Sequence, residues 1–128
     1  MAERRRVPTD APWAEMVGYS RAIRVGDTVF VSGTAPVDEE GGIAFPGDVY
    51  AQAKRCLEIV IAALGDAGAR PEHVVRTRIY VRDAAHWEEV GRAHGEAFGH
   101  ARPATTLVEV SGFIDPGILV EIEAVAVV

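Results

Sequence analysis

The C-terminal segment alternates apolar and acidic residues, and this pattern constrains the fold more than any other feature. After an Asp115-Pro116-Gly117 turn, residues 118–128 read ILVEIEAVAVV. Residues two apart on a β-strand share a face, so Glu121 and Glu123 lie on one side with Leu119, Val125 and Val127. The other side takes Val120, Ile122 and Ala124. Because carboxylates are rarely buried without partners, the pattern predicts a packed layer on one face and a polar site or interface on the other.

Turn signals and apolar spacing divide the rest of the chain into strands and helices. Residues 22–25 and 28–34 are predicted strands around a Gly26-Asp27 turn. Asp48 is a predicted N-cap for a long helix, because apolar residues recur at helical spacing from Val49 to Ala67. Residues 74–82 alternate as a strand, with one face formed by Val75, Thr77, Ile79 and Val81. Asp83 is predicted to cap a second helix with an apolar stripe of Trp87, Val90, His94 and Phe98.

The predicted order is β-β-β-α-β-α-β-β. Two helices are enough to cover one face of a sheet, which indicates an α+β fold with a single mixed β-sheet and both helices on one side. The uncovered face carries Tyr80, Leu119, Val125 and Val127, and such a face predicts an oligomer. Since the sequence contains no linker or repeat, residues 1–128 are expected to form one domain.

Composition excludes several classes of function. A net charge of −6 and a pI near 5.2 disfavour a nucleic-acid binder, and no apolar run approaches the ~18 residues of a membrane span. No signal peptide is recognisable, so a cytoplasmic protein is expected. The single cysteine, Cys56, fits a small buried apolar residue. The four histidines match no metal-binding pattern, and His94 fits a core or interface position better than a ligand position.

Four segments match motifs of one known protein family. They are Gly18-Tyr19-Ser20-Arg21-Ala22, Val31-Ser32-Gly33-Thr34, residues 75–83, and the C-terminal pair Pro-Ala-x-x-x-Val-Glu-Val and Val-Glu-Ile-Glu-Ala at 103–110 and 120–124. In this order the segments resemble the RidA (YjgF/YER057c/L-PSP) family. The resemblance covers roughly residues 17 to 128.

The resemblance implies a chorismate-mutase-like fold and a homotrimer whose three sheets face inward. Proteins of this family hydrolyse reactive enamines and imines released by pyridoxal-phosphate enzymes, giving a 2-oxo acid and ammonia. The resemblance therefore implies a small-molecule metabolite as ligand, a site between subunits, and no cofactor, metal, nucleic acid or membrane.

The resemblance also assigns site residues. The family's site tyrosine corresponds to Tyr19, its Ser-Gly pair to Ser32 and Gly33, and its site glutamate to Glu121. Its site cysteine corresponds to Leu107 and its helix asparagine to Gly91. Its carboxylate-binding arginine corresponds to Thr105, which cannot form a bidentate ion pair.

Alternatives remain at three of these positions. Arg102 is the candidate to replace the missing arginine, but it lies about 10 Å from Thr105 along an extended chain and at odd spacing, which turns it to the opposite face. Glu121 fits either a ligand site or a cross-sheet salt bridge to Arg76 or Arg78. Tyr19 fits either a site residue or a loop packing residue. Ser32 is at most a hydrogen-bond donor, because no catalytic base accompanies it.

Three functions are consistent with the sequence. The first is an enzyme of the RidA deaminase type, and the second is a metabolite-binding trimer without the usual activity. The third, an endoribonuclease or translation inhibitor, is disfavoured by the acidic composition. Because Thr105 replaces the arginine, we expect weak activity on the usual 2-imino acids, or a different ligand.

Overall fold

The computed structural model describes residues 2–128. Its strands and helices, in chain order, are β1 (Arg4–Val7), α1 (Ala14–Val17), β2 (Ala22–Val25), β3 (Thr28–Thr34), α2 (Val49–Asp66), β4 (Val74–Val81), α3 (Trp87–Phe98), β5 (Ala104–Glu109) and β6 (Val120–Val127). The predicted order of strands and long helices is confirmed. The four-residue α1 is not predicted from the sequence, since so short a helix has almost no periodic signal.

All six strands form one mixed sheet in the order β1-β2-β3-β6-β4-β5. Neighbouring strands are antiparallel except for β4 and β5, which are parallel. β6 therefore lies near the middle of the sheet, and β5 forms one edge. The predicted fold class, a mixed sheet with two main helices in an α+β arrangement, is confirmed.

Helix α2 covers one face of the sheet. Its predicted N-cap is correct, because the Asp48 side chain accepts a hydrogen bond of 3.0 Å from the Ala51 amide. Its apolar side packs on β3 and β6 and joins one continuous core with α3. At its C-terminal end, Arg5 and Arg24 donate to the carbonyl oxygens of Asp66 and Ala67, where positive charge complements the helix dipole.

The final strand follows the predicted alternation. Val120, Ile122, Ala124 and Ala126 are all at most 2% exposed beneath the helices. Glu121, Glu123 and Val125 lie half-buried on the opposite face, which we call the open face. Phe30 and Val127 are each 46% exposed on this face. Within residues 2–128, none of the helices is both long and apolar enough to cross a membrane.

Val75 and Trp87 depart from the faces predicted for them. Val75 is 47% exposed and Val74 is buried, because the pairing of β4 with β6 shifts by one residue between Val74 and Arg76. Trp87 is 59% exposed at the start of α3, so the apolar stripe of that helix begins at Val90. Asp83 caps a short 3₁₀ turn, Ala84–His86, that leads into α3, rather than capping α3 itself.

Candidate functional site

Glu121 lies where a bulge in β3 meets the open face of β6. The register between these strands shifts between Val31 and Thr34, so Ser32 and Gly33 are displaced from regular pairing. A β-carbon on residue 33 would stand 3.3 Å from Glu121 Oε1, which is a tight contact. Glycine at this position therefore allows the carboxylate to approach the β3 backbone.

Ser32 holds the bulge in place through its own hydrogen bonds. Its hydroxyl donates to the Ser20 carbonyl oxygen over 2.7 Å, and its amide donates to the Arg21 carbonyl oxygen over 3.0 Å. Thr34 Oγ1 donates to the Ser32 carbonyl oxygen over 2.7 Å. Because its hydroxyl proton is committed to the backbone, Ser32 connects β3 to the segment carrying Tyr19.

Arg21 also belongs to this group, although no sequence motif singles it out. It is only 8% exposed, and its Nη2 donates to the Gly33 carbonyl oxygen over 2.7 Å. Its guanidinium carbon lies 5.9 Å from the centre of the Tyr19 ring, within cation–π range. Among the described residues, its Nε has no hydrogen-bond partner. Arg21 occupies the variable position of the Tyr-Ser-x-Ala segment, so the motif gave no signal for it.

Burial and charge act on Glu121 in opposite directions. Partial burial raises the pKa of its carboxyl group, and the positive charge of Arg21 offsets part of that rise. A recess of about 20 Å³ lies between Glu121, Arg21 and Gly33, room for roughly one water molecule. A carboxyl group with a raised pKa beside such a recess is suited to proton transfer.

A wider groove of about 520 Å³ lies elsewhere around Arg21, between residues 7–12, residues 37–41 and α2. Its walls include Arg55 and also the acidic residues Asp10, Asp38 and Asp66. Because both signs of charge line the groove, its charge does not indicate one class of ligand. Glu121 does not line this groove. The smaller recess is therefore the better candidate for chemistry.

The cross-sheet ion pair considered for Glu121 is formed by its neighbour instead. Glu123 accepts a hydrogen bond from the Tyr80 hydroxyl, and Arg78 Nη1 lies 3.6 Å from Glu123 Oε2. Arg76 donates to Thr106 Oγ1 over 3.3 Å. The structural role thus belongs to Glu123, which leaves Glu121 beside Arg21 and the recess.

Thr105 and Leu107 lie on the other face of the sheet. They pair with Thr77 and Ile79 of β4, whose side chains are buried beneath the helices. Thr105 Oγ1 lies 2.8 Å from Thr77 Oγ1 and donates to the Pro103 carbonyl oxygen over 3.1 Å. Leu107 packs half-buried against the core.

Within one chain, the predicted site is therefore divided. Tyr19, Ser32, Gly33 and Glu121 come together around Arg21, whereas Thr105 and Leu107 lie across the sheet on edge strand β5. The predicted site between subunits, which would bring Glu121 and Thr105 together, stays a prediction, because within one chain the two side chains point to opposite faces of the sheet. Gly91 is exposed on α3, beside Trp87 and Arg92. Arg102 precedes β5 with a left-handed backbone (φ 49°) and an exposed side chain.

Burial favours the uncharged forms of two other side chains, Cys56 and His94. Burial raises the pKa of the Cys56 thiol well above its usual value, and its Sγ lies 3.6 Å from the Val120 carbonyl oxygen. Burial also lowers the pKa of His94. In the described part of the chain, no group of three or more His, Cys, Asp or Glu side chains is arranged to hold a metal ion.

Comparison with known proteins identifies the family. Residues 9–128 match the model of the endoribonuclease L-PSP family. The chain belongs to this family. The resemblance to RidA and YjgF proteins is thereby confirmed over nearly the whole chain.

Relatives of known name and structure agree with this assignment. The crystal structure of Rv2704 from Mycobacterium tuberculosis, a member of the YjgF/YER057c/UK114 family, superposes with a TM-score of 0.88 at 46% identity, covering 98% of this chain and all of the other. A RutC family protein of Pyrococcus abyssi is 39% identical over 84% of each chain. The 3-aminoacrylate deaminase RutC of Acinetobacter baylyi is 34% identical over 84% of this chain and 85% of its own.

Proposed function

We propose that this chain hydrolyses a small enamine or imine in a pocket formed between subunits of a homotrimer. The observation that carries the proposal is the Glu121 carboxyl group, half-buried beside Arg21 and a recess with room for one water molecule. Imine hydrolysis needs a positioned water and a group that exchanges protons with the substrate. The deaminase activity named for the RutC relative supports the same reaction class.

The pocket in this proposal needs more than one subunit. One half, formed by Tyr19, Ser32, Gly33 and Glu121, lies on the open face of the sheet. The other half, formed by Thr105 and Leu107 on edge strand β5 and by Gly91 on α3, is proposed to come from a neighbouring copy. The partly apolar open face supports such an assembly, since Phe30 and Val127 are exposed there. Each copy contributes residues 1–128 as one domain, and the trimer is proposed to work in the cytoplasm.

Glu121 is the proposed catalytic residue. Because burial raises the pKa of Glu121, its carboxyl group is better suited than an ordinary glutamate to protonate the imine nitrogen as water attacks the imine carbon. The resulting carbinolamine releases ammonia and leaves a carbonyl compound. The chain's own side chains account for this hydrolysis, so we propose that no cofactor or metal takes part.

Thr105 tunes the choice of substrate in this proposal. A threonine hydroxyl is neutral and makes single hydrogen bonds, whereas an arginine holds a carboxylate with two charge-assisted bonds. The usual 2-imino acids are therefore expected to bind and react weakly. An imine or enamine without a carboxylate at that position fits the pocket better.

A metabolite-binding trimer without catalysis is the second candidate, and the absence of arginine at position 105 favours it. An endoribonuclease is disfavoured by the net charge of −6. Two arginines near the N-terminal region, Arg5 and Arg24, also contact the C-terminal end of α2 rather than forming a free basic surface.

The test compares wild type, Glu121→Gln and buffer on two imines generated in place. Threonine dehydratase supplies 2-iminobutanoate, which carries a carboxylate, and an amine oxidase supplies an aldimine, which does not. We expect wild type to accelerate aldimine hydrolysis more than that of 2-iminobutanoate, and Glu121→Gln to match buffer. If wild type matches buffer on both imines but either one protects it against thermal unfolding, the binding function replaces the enzyme.

A further inference from the structure

Three side chains connect the exposed edge of the sheet to an imidazole beneath α3. Thr105 Oγ1 on β5 lies 2.8 Å from Thr77 Oγ1 on β4, and Thr77 Oγ1 lies 2.8 Å from His94 Nε2 on α3. Thr105 is exposed, Thr77 is 0% exposed, and His94 is half-buried. We propose that Thr105, Thr77 and His94 form a proton relay that serves the imine hydrolysis at its outer end, Thr105. This inference rests on the proposed function.

The two hydroxyl groups allow a proton to move along the chain without any side chain changing place. Each hydroxyl donates one proton and accepts at its lone pairs. When His94 is neutral with a free Nε2, Thr77 donates to Nε2 and Thr105 donates to Thr77. Thr105 Oγ1 then has a lone pair directed outward, ready to accept a proton from water.

His94 is placed to be the inner end of such a chain. Its ring packs edge-on against Phe98, with centres 5.4 Å apart, which fixes its orientation. Partial burial favours the neutral ring, which is the form that accepts a proton. Thr105 has one other acceptor, the Pro103 carbonyl oxygen at 3.1 Å, so its hydroxyl group can reorient between two partners.

The relay completes the proton balance of the reaction. In the first step, protonated Glu121 gives its proton to the imine nitrogen while water adds to the imine carbon, forming a C–O bond. The proton lost by water passes to Thr105, the Thr105 proton passes to Thr77, and the Thr77 proton passes to His94 Nε2. The product is a neutral carbinolamine.

In the second step, the same path runs in reverse. His94 returns its proton through Thr77 and Thr105 to the amine nitrogen, and the C–N bond breaks to release ammonia. Glu121, now a carboxylate, takes the hydroxyl proton as the C=O bond forms. Both groups return to their starting states, and the sum is imine plus water giving carbonyl compound plus ammonia.

The experiment interrupts the relay at its buried middle. Thr77→Val keeps the shape of the side chain and removes only the hydroxyl group, while Thr77→Ser restores it. Thr106→Val is the matched control, because Thr106 is the next residue on β5 and points to the opposite face. The substrate is the aldimine released by an amine oxidase, and thermal unfolding checks that each variant folds.

We expect Thr77→Val to lower the rate constant on the order of a hundredfold, as for loss of a general acid–base group. Thr77→Ser and Thr106→Val should stay within a few-fold of wild type. A proton inventory in mixed light and heavy water should curve for wild type, because several protons move together, and become linear for Thr77→Val. The imidazole ¹⁵N signals of His94 should also shift in Thr105→Val, two hydrogen bonds away.

The outcomes separate the relay from the proposed function. Wild-type activity that Thr77→Val retains in full, or a linear proton inventory in wild type, would overturn the relay and leave the deaminase intact. A wild type no faster than buffer would overturn the deaminase and, with it, any catalytic use of the relay. If Thr77→Val does not fold, Thr105→Val, at an exposed position, takes its place in the same comparison.

Discussion

The Arg21 guanidinium group donates from Nη2 to the Gly33 carbonyl oxygen over 2.7 Å. This single bond joins two features that the sequence presents separately, the tyrosine-bearing segment before β2 and the bulge of β3. Since Gly33 also faces the Glu121 carboxylate, Arg21 holds the backbone against which that carboxylate rests. Arg21 therefore positions the β3 backbone beside Glu121.

Replacing Arg21 with methionine should both destabilise the fold and change the acidity of Glu121. The Gly33 carbonyl oxygen loses its charged donor, and because Gly33 is exposed, water can take the donor's place, so the loss should be about 0.5–1.5 kcal/mol, as for an ordinary hydrogen bond. Without the positive charge, the pKa of Glu121 should rise further above its usual value. Urea denaturation measures the first effect, and ¹³C NMR titration of the Glu121 carboxyl carbon measures the second.

Arg21→Lys is the matched control, since it keeps the charge but loses the guanidinium geometry. In Arg21→Lys the pKa of Glu121 should return most of the way from its value in Arg21→Met to its wild-type value. The free energy of unfolding should recover less. An unchanged Glu121 pKa in Arg21→Met would show that Arg21 acts on the fold alone.

Substituting Gly33 with alanine should impair the site more than the fold. The added β-carbon would lie 3.3 Å from Glu121 Oε1, so the carboxylate must move by a few tenths of an ångström. We expect at least a tenfold loss of activity, because misplacing a reacting group is costly in rate. The measurement is aldimine hydrolysis together with the unfolding midpoint.

Gly95→Ala serves as the comparison on α3, where an added β-carbon meets nothing within 4 Å. That change should stabilise the protein by about 0.5–1 kcal/mol, because alanine favours a helix over glycine. Normal activity in Gly33→Ala would mean that the close approach of Glu121 to β3 has no catalytic value.

Alternation in the sequence was enough to predict where Glu121 points, because a strand with one buried face has only one consistent register. The same rule is wrong at Val75, because a bulge inserts a residue there and the local sequence contains no signal that predicts the bulge. Arg21 was missed because its burial depends on Gly33, Tyr19 and Glu121, which meet only in the folded chain. The separation of Thr105 from Glu121 also required the strand order, since parity along one strand does not compare faces between two strands.

The stability of wild type relative to Glu121→Gln should depend on pH in a defined direction. The folded-state pKa of Glu121 is raised by burial, so the folded protein binds this proton more tightly than the unfolded chain. The stabilising effect is fully present below the unfolded pKa, about 4.3, and is lost as pH rises through the folded value. At pH 7 we therefore expect Glu121→Gln to unfold at the same temperature as wild type or higher.

Glu123→Gln provides the contrast on the same strand, because it weakens the contact with Arg78. It should lower the unfolding temperature slightly at pH 7, in keeping with about 0–1 kcal/mol for a partly exposed ion pair. A clear loss of stability in Glu121→Gln at pH 7 would show that the Arg21 interaction outweighs burial.

The final prediction concerns Thr105→Arg and 2-iminobutanoate. An arginine on β5 would supply the two charge-assisted hydrogen bonds that a substrate carboxylate requires, worth on the order of 2–3 kcal/mol, or roughly 30-fold to 150-fold in KM. The same change removes the outer hydroxyl of the proposed relay, so kcat should fall and KM should also fall.

The measurement couples threonine dehydratase to oxo-acid detection at several imine concentrations, which separates the two effects. It compares wild type, Thr105→Arg, Thr106→Arg and buffer. Thr106→Arg places the same charge on the opposite face of the strand and should leave KM unchanged. Wild-type activity on 2-iminobutanoate equal to that of an arginine-bearing relative would show that another group binds the carboxylate, and the substrate preference argued from Thr105 would be wrong.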